Sequence, residues 1–185
     1  ARREAAIYDK INLAINQTIY RDVAIYLNFG YCALEGVPIH GAFTDPEVVT
    51  SDSMRLVIEL IGDTPLEGRY VVDVGCGRGG TLEVIRQLYA PAFTLGIDLS
   101  REAVAFCSRR YPLATAAFKE GDAQALPLPD ASADVIINLE SAVHYPDVNA
   151  FYRGVFRVLK PGGHFQYGDL IPMATLNQRL DFLRS

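Results

Sequence analysis

Residues 71–81 read VVDVGCGRGGT, and the fold turns on how this stretch is read. A β-rich apolar run ends at Val74. Gly75, Gly77 and Gly80 then spell G-x-G-x-x-G ahead of the helical pattern TLEVIRQLY. Such a strand feeds a helix through a turn whose backbone a ligand can approach closely. Taken alone the pattern is weak, because glycines in a strand-to-helix turn serve equally for positive φ or for close packing. Its meaning depends on what surrounds it.

Downstream, FTLGIDL (93–99) reads as a second strand, and Ser100 caps the helix REAVAFCSRRY. AAFKEGDA supplies a third strand and its exit loop, and ADVIINLESA (133–142) a fourth. VNAFYRGVFRVLK (148–160) is a helix stopped by Pro161-Gly162-Gly163; HFQYGDL (164–170) is a fifth strand, and ATLNQRLDFLRS opens another helix. Strands alternating with helices predict β-α-β units, hence a parallel sheet with right-handed crossovers. Upstream, Ile7, Ile11, Ile15 and Ile19 form a four-residue stripe that predicts a helix over 4–27. YLNFGYCALEGVPIHG (26–41) reads as a loop. SDSMRLVIELIG reads as a helix capped by Ser51 or Asp52 and closed by Gly62. No internal repeat or low-complexity tract interrupts the chain.

The 185 residues suffice for one domain with a real core, and a hydrophobic share of 50% with 21% charged residues excludes a disordered composition. No apolar stretch approaches the roughly 20 residues that span a bilayer, and no secretory signal pattern is present, so no membrane partner is expected. A net charge of −5 argues against nucleic acid as a partner, since phosphate binding needs a basic face. Cys32, Cys76 and Cys107 are odd in number and lack C-x-x-C spacing, which suggests neither a disulfide framework nor a zinc site. They fit a reducing cytosol, so a cytoplasmic location is expected. The chain begins with Ala, as expected of one that is processed, trimmed or cut from something longer.

Asp98, at the end of the second strand, can accept from both ribose hydroxyls of a nicotinamide dinucleotide or of S-adenosylmethionine, and does not separate them. Asp73 does: a carboxylate two residues before the turn suits an ammonium and a sulfonium better than a pyrophosphate. Asp122 follows the third strand, where it can accept from an adenine amine with the Ala123 backbone close by. A nicotinamide oxidoreductase would have no use for Asp73 or for the GDA segment.

In this order VVDVGCGRGG, GIDLS, GDAQALPLPDASADVI and VLKPGG resemble the class I S-adenosylmethionine-dependent methyltransferases over roughly residues 65 to 175. The resemblance implies an α/β fold, a doubly wound Rossmann-like parallel sheet. Its cofactor would be S-adenosylmethionine, with S-adenosylhomocysteine as product. It also implies that Gly75 and Gly77 admit the methionine moiety, that Asp98 with Leu99 holds the ribose, and that Asp122 and Ala123 read the adenine. The domain reading is a helical lid over 1–50 and a cofactor-binding core over 51–185. Tyr26, Phe29 and Tyr31 either pack or form the lid over the sulfonium, where a cation on an aromatic face is favourable. The family sheet has seven strands, and the last two have no candidates here. A fragment of a longer methyltransferase or a module of a multidomain chain is therefore expected, with one sheet edge left open.

The fourth strand runs into NLESAVHYPD, which should turn Glu140, Ser141, His144, Tyr145 and Asp147 toward the transferred methyl group. The Asn- or Asp-Pro-Pro-aromatic tetrapeptide of nucleic-acid amine methylases is missing. Glu140, His144 and the YLNFGY segment instead resemble small-molecule methyltransferases of bacterial natural-product pathways, including O-methyltransferase domains of polyketide synthases. That implies a small-molecule acceptor, free or tethered to a carrier protein, methylated at a hydroxyl. Carbon or nitrogen methylation, or a scaffold that binds without turnover, stays open. His144 is the expected general base, unless it is simply a polar loop residue. Glu140 would fix its tautomer or else meet the cofactor's ammonium. His164 reads as structural, His40 as solvated, and Cys76 as a small buried filler.

Overall fold

A computed structural model describes residues 2–31 and 51–184. Five parallel strands form one sheet in the order β3-β2-β1-β4-β5. They are β1 (Tyr70–Val74), β2 (Phe93–Asp98), β3 (Ala116–Glu120), β4 (Ala133–Leu139) and β5 (Leu159–Gly168). The helices are α1 (Arg2–Asn16), α2 (Ser51–Ile61), α3 (Gly80–Leu88), α4 (Arg101–Arg110), α5 (Val148–Val158) and α6 (Met173–Arg184). This is the doubly wound α/β fold expected from the alternation. His40, Cys32 and most of the 26–41 loop lie outside the described residues.

The two-residue period of the strands sorts their side chains into two cores. Val71, Val135 and Ile137 face one layer, with Val57, Ile58 and Ile61 of α2 and Leu82 and Ile85 of α3. Val72, Val74 and Ile136 face the other, with Phe151, Tyr152 and Val155 of α5. Because both faces are covered, β1 and β4 are mostly apolar along their length instead of alternating apolar with polar. Ser100 caps α4 by accepting from Ala103 N–H at 3.2 Å. Asp147 caps α5 by accepting from Ala150 N–H at 2.9 Å. Gly62, at φ 52, closes α2. The sheet reverses its winding between β1 and β4, which opens a crevice beyond their carboxyl ends.

Three boundaries differ from the sequence reading. The fourth strand stops at Leu139 instead of 142, because Glu140 takes up a left-handed φ of 49 and turns the chain. The fifth strand starts earlier: Ala133 pairs with Leu159 and Val135 with His164, so Lys160–Gly163 loops out within the strand instead of preceding it. Gly163 permits this, since a Cβ there would lie 2.9 Å from Asp134 O. Finally, α1 ends at Asn16, and its isoleucine stripe does not face the core. Ile7 is 51% exposed and Ile19 89%, while Asn12 is buried. The helix rests on the polar carboxyl ends of the strands and on the start of α4, where Asp9 accepts from Ser100 Oγ at 2.6 Å. Its polar face therefore turns inward. Among the described residues the sheet has five strands, and β5 pairs only with β4, at an edge.

Candidate active site

The crevice beyond β1 and β4 is a cavity of about 250 Å³. Its floor is the glycine loop. Gly75, at φ 77, donates to Ile97 O at 2.7 Å, and a Cβ there would lie 2.0 Å from Ser141 Oγ. Only glycine fits this approach. Asp98 Oδ2 accepts from Gly77 N–H at 2.8 Å, and Oδ1 accepts from Ser100 N–H at 2.8 Å. Burial pushes the Asp98 carboxyl up, and these two N–H groups pull it partly back. Asp98 thus braces the loop while facing the cavity with Leu99.

Asp73 is not among the residues lining the cavity. Its side chain is buried behind the loop, and Oδ2 has no hydrogen-bond partner. Burial first, and the Asp98 charge second, push its pKa up to about 8. Such a carboxyl escapes the cost of a buried charge by keeping its proton. On the adenine side expected from the sequence, Asp122 and Ala123 line the cavity. Asp122 also accepts from Gln124 N–H at 2.9 Å, capping a one-turn helix over Ala123–Ala125.

At the exit of β4, Glu140 donates its N–H to Gly168 O at 2.7 Å, and its Oε2 accepts from Phe29 N–H at 2.8 Å. Burial raises its pKa, the Phe29 N–H opposes the rise, and the Asp169 charge adds to it. The expected Glu140–His144 hydrogen bond is not formed, because the carboxylate is committed to the N-terminal segment and the chain between them turns as a short 3-10 helix over Ala142–His144. His144 is exposed at the cavity, with Tyr8 edge-on at 5.8 Å between ring centroids. Tyr145 reaches the cavity, yet its ring packs on Phe151 and its hydroxyl meets Asn138 Nδ2 at 3.0 Å and Ser141 Oγ at 2.8 Å. Burial raises its pKa. Tyr26 lies across the start of α3, where a Cβ on Gly80 would come within 2.6 Å of its ring. Phe29 lines the cavity and is exposed. Tyr31 is off it, donating its N–H to Asp52 O at 2.9 Å.

The sequence reading missed Glu4, Tyr8 and Asn12, which α1 turns into the cavity, and Arg78 within the glycine loop. The signal was present. Glu4, Tyr8, Asn12 and Asn16 repeat at the same four-residue spacing as the isoleucines, on a stripe beside theirs.

Residues 72–166 match the family described as "Methyltransferase domain". The fatty-acid O-methyltransferase of Mycolicibacterium smegmatis is 36% identical over 82% of this chain and 54% of its own length. The phthiotriol/phenolphthiotriol dimycocerosates methyltransferase of Mycobacterium tuberculosis is 40% identical over 58% of this chain and 40% of its own. Among solved structures, the [4+2]-cyclase SpnF superposes with a TM-score of 0.69 at 26% identity, over 86% of this chain and 56% of that one. The chain spans about half the length of the curated relatives it matches. The fold and the match together define a class I methyltransferase domain. The chain belongs to the methyltransferase domain family, and its cofactor is S-adenosylmethionine.

Proposed function

We propose that this protein methylates a small, largely apolar acceptor of the lipid or polyketide type at a hydroxyl group. The observation that carries this reading is the make-up of the cavity. Acidic groups (Asp98, Asp122 and Glu140, with Asp73 behind the loop) meet the apolar side chains Ile25, Tyr26, Leu27 and Phe29 of the N-terminal segment. An acidic end suits a ligand with an ammonium and a sulfonium, and an apolar wall suits a hydrocarbon acceptor. Gly75, where a Cβ would meet Ser141 Oγ, and Asp98 beside it leave a cradle at the loop that fits this cofactor. When bound, S-adenosylmethionine supplies a methyl group already attached to a good leaving group.

The chain's own part is alignment and proton removal. Gly75 and Gly77 leave room for the methionine end, Asp98 and Leu99 serve the ribose, and Asp122 and Ala123 serve the adenine. Tyr26 and Phe29 shield the reacting end from water. His144, the one histidine lining the cavity among the described residues, takes the acceptor's proton. Residues 1–50 act as the lid and 51–185 as the core. The names of the two mycobacterial relatives support the lipid-like acceptor and, in one case, the oxygen linkage. The likeness to SpnF supports a second reading, in which the same cavity shapes an apolar substrate without transferring a methyl group. Incubation with methyl-labelled S-adenosylmethionine and long-chain fatty or hydroxylated lipid acceptors tests the choice. Label in an ester or ether product is expected. Cofactor binding by calorimetry with no labelled product from any acceptor favours the second reading.

A further inference from the structure

Arg78 stands between Gly77 and Gly79 of the cofactor loop, and its side chain is wholly buried at 0% exposure. Its guanidinium leaves the loop and enters the N-terminal segment. Nε donates to Ala24 O at 2.7 Å, and Nη1 donates to Asn16 Oδ1 at 2.9 Å and to Asn12 Oδ1 at 3.2 Å. Nη2 donates to Arg21 O at 2.5 Å, and the plane stacks on Phe106 of α4 at 3.6 Å from the ring centroid. These hydrogen-bond acceptors are neutral, so the cation is held by a shell of dipoles and a π face.

Among the described residues, no other single side chain makes as many hydrogen bonds to the segment. Asn12 is the one buried residue among the described side chains of α1, and Ile7 and Ile11 are exposed. Single ties add to this grip along the segment: Ser100 Oγ to Asp9, Asn28 Nδ2 to Ser53 O, Phe29 N–H to Glu140 and Tyr31 N–H to Asp52 O. Asn12, Ile25, Tyr26 and Leu27 line the cavity together with Gly77 and Gly80, and Tyr26 lies directly against Gly80. Arg78 joins the segment to the loop.

We propose that Arg78 is a positioning residue that latches the N-terminal segment over the cofactor loop, so that S-adenosylmethionine leaves only when this set of hydrogen bonds opens. The proposal rests on the reading of the cavity as the cofactor site. A planar fork suits the task, because it satisfies acceptors in three directions at once and its charge is welcome in water once the segment swings away. A lysine, with one small head, reaches fewer of them. The latch acts on cofactor retention and touches no reacting atom.

The test is release of tritiated S-adenosylmethionine, chased with unlabelled cofactor, alongside hydrogen exchange of residues 2–31. Arg78→Met is expected to speed release by about tenfold or more, the scale of losing hydrogen bonds to a charged group. It should also raise exchange in α1 while leaving β1 and β4 protected. Arg78→Lys should restore part of the retention. Asn12→Ala with Asn16→Ala cuts the latch from the other side. It should shift both readouts the same way by less, and add little on top of Arg78→Met. If Arg78→Met does not fold, the asparagine pair decides. Release rates within twofold of wild type in the folded variants overturn the latch alone. A wild-type protein that binds no S-adenosylmethionine overturns the latch together with the reading of the cavity.

Discussion

Asp73→Asn should make the ligand-free protein more stable while weakening its hold on cofactor. The Asp73 carboxyl sits at a pKa of about 8 in the fold, against 3.8 for an ordinary aspartate. At about 1.4 kcal/mol per unit, keeping it neutral at pH 7 costs about 4 kcal/mol relative to the unfolded chain. A folded-state pKa above the unfolded one means the native state keeps a proton that the unfolded state has released. This part of the stability is therefore complete below about pH 4, falls as the pH rises, and is gone above about pH 8. Asparagine copies the neutral carboxyl in shape and cannot ionise in either state. Its amide still faces a spot where Oδ2 has no partner, which takes back about 1–3 kcal/mol. The expected net gain at pH 7.5 is about 1–3 kcal/mol, or a rise in Tm of about 3–10 °C for a chain of this size. Thermal and urea melts at pH 5 and pH 7.5 measure it. The gap between variant and wild type should open with pH, which isolates Asp73 from Asp98 and Glu140, whose raised values act in the same direction. Calorimetry should show weaker S-adenosylmethionine binding, because a bound ammonium rewards the charge that asparagine lacks. A variant no more stable than wild type at pH 7.5, or a gap that does not change between the two pH values, refutes the reasoning.

His144→Ala should leave cofactor affinity nearly intact and lower turnover by about 10²-fold or more, read by single-turnover transfer of labelled methyl. Gly75→Ala places a Cβ 2.0 Å from Ser141 Oγ at a φ of 77, and should cost about 2–4 kcal/mol in a urea melt and abolish cofactor binding. Asp98→Ala leaves the Gly77 and Ser100 N–H groups without their acceptor, and should weaken S-adenosylmethionine binding by about 1.5–3 kcal/mol in calorimetry. Glu140→Gly relieves a left-handed residue but frees Phe29 N–H, so melts should hold steady while hydrogen exchange of residues 26–31 rises; Glu140→Gln, which keeps an acceptor, should change exchange far less.

The core was legible because parallel strands buried on both faces write themselves as apolar runs, and Ser100 and Gly62 act through local rules that need no tertiary partner. The strand-ending loops were legible by resemblance, which brought Asp98, Asp122 and Ala123 to one cavity. What escaped were places where a distant partner outweighs the local signal. Ile7 and Ile19 form a good apolar stripe, yet α1 lies where strand ends, a helix N-terminus and a buried guanidinium offer polar partners, so Asn12 goes inside. Pro161-Gly162-Gly163 looks like a stop, yet the strand resumes its pairing across the loop at His164. Glu140 and His144, four residues apart, look like a helical pair, yet no α-helix joins them.

That last difference reassigns Glu140. A non-glycine residue at a φ of 49 costs about 1–2 kcal/mol, and a glycine there would avoid the cost. A left-handed residue at the mouth of a site persists when its surroundings over-determine it, and here the side chain supplies the reason. Turning the backbone aims the carboxylate across the cavity, to the one N–H of Phe29 that ties down the apolar end of the N-terminal segment. A glutamate spent in this way cannot also orient an imidazole. On the proposed role of His144, its orientation would come from the N-terminal helix, where Tyr8 meets it edge-on. The base and the residue that steadies it would come from opposite sides of the cavity, and both would be in place only when the N-terminal segment is docked. If His144 is the base, closing that segment over the cofactor and arming it would be one event.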